Sequence, residues 1–236
     1  MEEKIYKIDC VYVFDFDDTL IKSKTSFIKV RSKADDSILL KLTPKQYTYY
    51  TVSSETEYLD FKDFDQDQIP DFDSLELNKP MVHIFNQAIE AVGKQNVHIC
   101  SARVNPEPIR MVLNTLLKQE GVNIAAIGKH DLTMNPTQGN AIRKKDYIKQ
   151  IIDGVILVKK KKSDDLSKLI VYFYDDNLYN LEEVYSLNNN QSSYYKVVCM
   201  KVDDANIYIQ PYVKSSSCSS EDKKNNGTST IYMQGS

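Results

Sequence analysis

The sequence predicts an α/β protein with a three-layer, Rossmann-like architecture: a parallel sheet with helices on both faces. Three observations carry this expectation. Apolar runs without polar alternation, such as Cys10-Val-Tyr-Val-Phe14, Val97 to Cys100 and Leu169 to Tyr174, read as strands covered on both faces. Segments of helical periodicity separate them, and that alternation is the signature of parallel strands joined by crossover helices. The chemically interesting residues Asp15, Asp17, Ser101, Asp175 and Asp176 all follow directly on such runs, and open sheets of this class bind ligands at the carboxyl ends of their strands.

The first run, from Cys10 to Phe14, is a buried strand that stops at Asp15, Asp17 and Asp18. If the backbone stays extended, Asp15 and Asp17 point the same way. Close carboxylates repel, so the pair needs a cation, a shared proton or both. The next stretch changes character. Residues 27–32 and 37–42 read as a hairpin, Thr43-Pro44 as a helix start, and residues 55–77 as an acidic stretch. Together residues 21–77 form a small, acidic, cap-like insertion. Within it, Asp63-x-Asp65-x-Asp67 has the spacing of a calcium loop, but Gln68 and Ser74 stand where Gly and Glu belong, so a solvated acidic loop is expected.

From Pro80 the apolar positions Val82, Phe85, Ile89 and Val92 mark a helix that Gly93 closes. A strand ending at Ser101 follows, then a helix over 106–120, a strand over 123–127, a helix over 138–153, a strand over 169–174, a helix over 178–187 and a strand over 196–202. Lys159 to Lys162 are expected in a solvated turn, with nucleic-acid contact as the rival reading. Residues 214–236 are rich in Ser, Asn and Lys and are expected to be a disordered tail. The Rossmann-like core is thus assigned to residues 1–20 and 78–213.

With 236 residues, the chain can hold one such core and an insertion. A net charge of −3 and a pI near 5.7 provide no global positive field toward nucleic acid or an anionic membrane. The first residues are charged, and no run of about 18 apolar residues occurs, so a cytoplasmic protein with no membrane span is expected. Cys10, Cys100 and Cys199 sit in apolar runs and Cys218 in the tail, which suits neither a disulfide framework nor a metal cluster.

Asp15-x-Asp17-x-Thr19-Leu20, placed after a buried strand, resembles the first motif of the haloacid dehalogenase (HAD) superfamily. The strand ending at Ser101, a lysine near a helix start (Lys144, with Lys145 as the alternative) and the Asp175-Asp176 pair resemble its remaining three motifs, in the same order. The resemblance implies Asp15 as nucleophile, Asp17 as general acid and base, Ser101 and Thr19 as phosphoryl-binding groups, and Lys144 as the cation that neutralises phosphate and nucleophile. It further implies Mg2+ held by Asp15, Asp17 through its backbone carbonyl, and Asp176, with Asp175 either a ligand or one shell out. Arg103 is a candidate contact for a substrate anion, with a surface salt bridge as its alternative.

Asp17 favours a phosphatase over a dehalogenase, because a leaving halide needs no proton. The implied function is a Mg2+-dependent phosphomonoester phosphatase acting through an aspartyl-phosphate. Its partner would be a phosphorylated small molecule or a phosphorylated nucleic-acid end. The alternatives are a nucleic-acid end phosphatase and a non-catalytic HAD-like binding domain. Where the family often has Gly, this chain has Asp18, and the insertion matches no cap of that family.

Overall fold

A computed structural model describes residues 9–47, 49–65, 72–128, 136–162, 168–190, 194–203 and 209–213. The expected tail at 214–236, with Cys218, lies outside the described residues, as does Asp67.

The central sheet contains β1 (Cys10–Phe14), β7 (Val97–Ser101), β8 (Asn123–Ala126), β9 (Leu169–Asp175), β10 (Tyr195–Val202) and β11 (Ile209–Pro211). Its spatial order is β11-β10-β9-β1-β7-β8, parallel throughout except for β11, which runs antiparallel to β10. β11 was not foreseen: three residues ending in Pro211 give no periodicity to read. After β1 the chain goes to β7 and β8 on one side, then crosses to β9 and β10 on the other. The order therefore reverses beside β1, and such a reversal opens a crevice at the strand ends.

Helices cover both faces. On one lie α3 (Lys79–Val92) and α4 (Glu107–Thr115), on the other α5 (Pro136–Lys162) and α6 (Leu178–Tyr185). Alternation along β1 assigns its side chains to the two cores. Phe14 packs with Met81, Phe85, Ile109 and Leu113, whereas Val11 and Val13 pack with Phe173, Ile148, Ile152 and Leu181. Phe14 stacks on Tyr174 with centroids 4.8 Å apart and meets Phe85 edge-on at 5.3 Å. Burying such a side chain contributes roughly 1.5–3 kcal/mol, so this face holds strand register as well as helix position.

Two helices differ from expectation in length. α4 stops at Thr115, short of Glu120, after which Lys118 adopts a left-handed backbone (φ 54°) that a helix cannot continue through. α5 runs 27 residues, so Lys159 to Lys162 are its last turn and not a separate turn. Lysines are good helix formers and favour the carboxyl end of the dipole. Lys159 Nζ also bonds Asp9 Oδ1 at 3.0 Å.

Between β1 and α3 lies the insertion. It leaves and returns through an antiparallel pair, β2 (Ile21–Ser23) and β6 (Leu75–Leu77), and carries a three-stranded antiparallel sheet of β3 (Ile28–Ser32), β4 (Ile38–Leu42) and β5 (Glu57–Asp60). Short helices α1 (Pro44–Tyr47) and α2 (Lys62–Asp65) complete it. The hairpin and the Thr43 cap are as expected: Gln46 N donates to Thr43 Oγ1 at 3.2 Å. Asp63 serves the fold, accepting from Phe27 N and from Lys29 Nζ. Ile28, Val30 and Leu42 give the insertion a small core of its own. Among the described residues, no helix is long and apolar enough to cross a membrane.

Candidate active site

The parity that sends Val11 and Val13 toward α5 also governs Asp15, and the parity of Val171 and Phe173 governs Asp175. Phe14 pairs with Tyr174, and Asp15 N donates to Tyr174 O at 2.8 Å, so Asp15 and Asp175 are level neighbours on the α5 side. Ala141, Ile148 and Ile152 form the buried stripe of α5, and Lys144 stands on it one turn before Ile148. Its ammonium reaches both carboxylates, 2.6 Å from Asp15 Oδ1 and 2.7 Å from Asp175 Oδ2. Lys145 points elsewhere and pairs with Glu183.

The three members of this ion triad are nearly sealed from water, with Lys144 1%, Asp15 6% and Asp175 0% exposed. Burial raises the Asp15 carboxyl above its usual range; Lys144 opposes the rise and Asp175 adds to it. For Lys144, burial acts to lower its pKa, but the charges of Asp15 and Asp175 outweigh it and the ammonium is held well above its usual range. Asp176 is half-buried and also raised well above the carboxylate range, by burial first and then by Asp175, Asp15 and Asp18.

Asp15, Asp175 and Asp176 each bring a carboxylate oxygen within 4.8 Å of the others. All-oxygen donor sets suit hard cations such as Mg2+. Asp175 has less to spare: Oδ1 accepts from Asn177 N at 2.8 Å, Asn180 Nδ2 lies 3.0 Å from both oxygens, and Lys144 takes Oδ2. Among the described residues, Asp176 has no such partner, so it offers the freer oxygens. The donor set fits a divalent cation in number and type.

Asn180 was missed by the sequence reading. It lies five residues past Asp175, in the first turn of α6, whose cap Asn177 accepts from Tyr179 N at 2.9 Å. A short amide one turn into a helix that follows an acidic pair was the available signal.

Asp17 parts company with Asp15. The backbone leaves the extended form directly after Asp17: Asp18 is left-handed (φ 59°), and Leu20 N and Ile21 N both donate to Phe16 O. A left-handed position explains why glycine suits it, and Asp is among the few other residues that tolerate it. The Asp17 carboxylate is therefore not in the acidic group. Both its oxygens bond Arg103, Nε to Oδ2 at 2.9 Å and Nη2 to Oδ1 at 2.7 Å. The side-chain partners of the two carboxylates differ: Lys144, shared with Asp175, for Asp15, and Arg103 for Asp17. Arg103 is correspondingly buried and not a surface ion pair.

Thr19 is fully buried and its Oγ1 lies 3.5 Å from Asp15 Oδ2, a weak bond at most. Ser101, 1% exposed, follows Cys100 at the end of β7. Extending the β1–β7 register, in which Phe14 faces Ile99, sets Ser101 level with Phe16. Its Oγ accepts from Arg103 N at 3.2 Å. Asp15, Asp17, Ser101, Arg103, Lys144, Asp175 and Asp176 thus gather at the carboxyl ends of β1, β7 and β9. No family model, no curated protein and no solved structure matches this chain.

Proposed function

We propose that the chain is a HAD-type phosphohydrolase that cleaves phosphomonoesters with Mg2+ through an aspartyl-phosphate on Asp15. One observation carries the reading: the buried Lys144 ammonium bridges Asp15 and Asp175 on adjacent strand ends, with Asp176 beside them. A structural role alone accounts for it poorly, because two buried carboxylates around one ammonium, with the half-buried Asp176 beside them, leave excess negative charge at a desolvation cost.

In this reading the Asp15 carboxylate attacks phosphorus. The new O–P bond forms as the ester P–O bond breaks, and Asp17 gives its proton to the departing oxygen. Water then attacks the phosphoryl group on Asp15 while Asp17 takes up a proton, releasing phosphate and restoring both carboxyls. Lys144 cancels the repulsion between Asp15 and an anionic phosphoryl group, and Ser101 and Thr19 supply hydroxyls toward its oxygens. Asp15 and Asp176, with Asp175 beside them and Asp17 through its carbonyl, would hold the cation. When bound, it would neutralise charge shared by nucleophile and phosphoryl oxygens. The insertion would act as the cap, since its Phe64 lies over Arg103 with 5.4 Å from ring centroid to guanidinium.

Phosphate release from p-nitrophenyl phosphate tests this. Purified protein with Mg2+ should release phosphate in a manner abolished by EDTA and by Asp15→Asn. Release no greater than that of the variant overturns the reading. A panel of phosphorylated metabolites and 5′- or 3′-phosphorylated oligonucleotides then separates small-molecule from nucleic-acid substrates.

A further inference from the structure

Arg103 is gripped from several directions. Its guanidinium lies over the Phe16 ring at 5.7 Å and the Phe64 ring at 5.4 Å, one from the core and one from α2 of the insertion. Its side chain is 9% exposed, that of Asp17 18%. The backbone is equally fixed: Gly128 N donates to Arg103 O at 3.0 Å, and a Cβ at Gly128 would come within 2.1 Å of Ala102 O. The fork is thus set in place by rings and backbone, and Asp17 alone does not hold it.

Given the phosphohydrolase reading, on which this inference rests, Asp17 faces a conflict. To reach the leaving oxygen it must turn at least one carboxylate oxygen out of the fork. Doing so strands a buried guanidinium, which is strongly unfavourable unless another anion replaces the one withdrawn. The replacement must arrive from the leaving-group side, because that is the side Asp17 serves. Lys144 and the hydroxyls already attend the transferring phosphoryl group. A planar guanidinium accepts carboxylate and phosphate by the same two-bonded geometry.

We propose that Arg103 is a specificity-determining residue that exchanges the Asp17 carboxylate for a second anionic group, carboxylate or phosphate, carried on the substrate's leaving group. Preferred substrates are then phosphomonoesters bearing another anion a few bonds from the scissile oxygen. Phe16 and Phe64 keep the fork aligned while its partner changes, and binding such a substrate releases Asp17 for proton transfer.

The test compares kcat/KM for ethyl phosphate, phosphoglycolate and 1,3-propanediol bisphosphate at fixed ionic strength with Mg2+, in wild type, Arg103→Lys and Arg103→Met. Wild type should prefer at least one of the doubly anionic substrates over ethyl phosphate by about tenfold or more, and which one distinguishes carboxylate from phosphate. The ratio should fall to near one in Arg103→Met, mainly through KM of the anionic substrate, and to an intermediate value in Arg103→Lys. A wild-type ratio near one, or a ratio unchanged by the substitutions, overturns the proposal while leaving the phosphohydrolase reading intact. No release from any of the three by wild type that hydrolyses p-nitrophenyl phosphate overturns the proposal alone, and no release from p-nitrophenyl phosphate either overturns both. If Arg103→Met does not fold, the wild-type ratio and Arg103→Lys decide.

Discussion

Lys144 and Asp15 lie 129 positions apart in sequence, and their charged atoms approach to 2.6 Å inside the protein. Removing one side of a buried ion pair strands the other, a loss typically of about 3–5 kcal/mol. Lys144→Met should therefore lower unfolding free energy by about that amount and abolish phosphate release. Lys145→Met, which breaks a half-exposed pair with Glu183, should cost under about 1 kcal/mol. Denaturant titration of both variants checks this; equal losses would contradict the assignment of the two lysines.

The two leading carboxylates should fail differently. In the proposed mechanism Asp15→Asn removes the attacking anion, so no phosphoenzyme should form. Asp17→Asn keeps the proposed nucleophile and loses the proposed proton carrier, typically a loss of about 10²- to 10⁴-fold. With a nitrophenolate leaving group its first step should survive better than its second, and aspartyl-phosphate should accumulate. Rapid quench with labelled substrate reads this directly. Label on Asp15→Asn, or wild-type rates for Asp17→Asn, would overturn this assignment of roles.

Asp15 gives stability a predictable pH dependence in EDTA. Burial raises its carboxyl from 3.8 toward about 7 in the folded protein. The folded state then binds the proton more tightly than the unfolded one, so this contribution is favourable below about pH 4 and is lost as pH rises toward 7. Asp176 is raised as well and acts in the same direction. In thermal melts from pH 5 to 7.5, the melting temperature of Asp15→Asn minus that of wild type should rise with pH in EDTA, and Mg2+ should oppose that rise by stabilising wild type. A difference that falls with pH in EDTA contradicts the sign.

Asp18 stores backbone strain beside the site. A left-handed non-glycine residue costs on the order of 1 kcal/mol, less for Asp than for most. Asp18→Gly should be neutral to stabilising by roughly 1 kcal/mol, also easing the charge on Asp176. Asp18→Val should destabilise, since branching at Cβ resists φ of 59°. Melting both variants checks the ordering.

Gly128 is a spacer beneath the loop after β7. Gly128→Ala places a methyl against the Ala102 carbonyl and must push Ala102 and Arg103 aside, at about 1–3 kcal/mol. Activity should fall with stability because Ser101 and Arg103 ride on that backbone. A variant with unchanged melting and rate would show the loop to be more pliant than the geometry indicates.

Local pattern determined the elements that carry chemistry. An apolar run ended by a polar residue marks a buried strand end whatever the rest of the chain does, so Asp15, Ser101 and Asp175 could be placed without contacts. The sequence left Lys145 as the alternative to Lys144, because both stand near the same helix start; the buried stripe Ala141, Ile148, Ile152, on which Lys144 stands, decided between them. Other features came from tertiary structure alone. Arg103 meets Asp17 across 86 positions, and β11 exists only as a partner to β10. Each depends on which strands become neighbours, and periodicity reports the face a residue occupies but not the residue that will stand opposite.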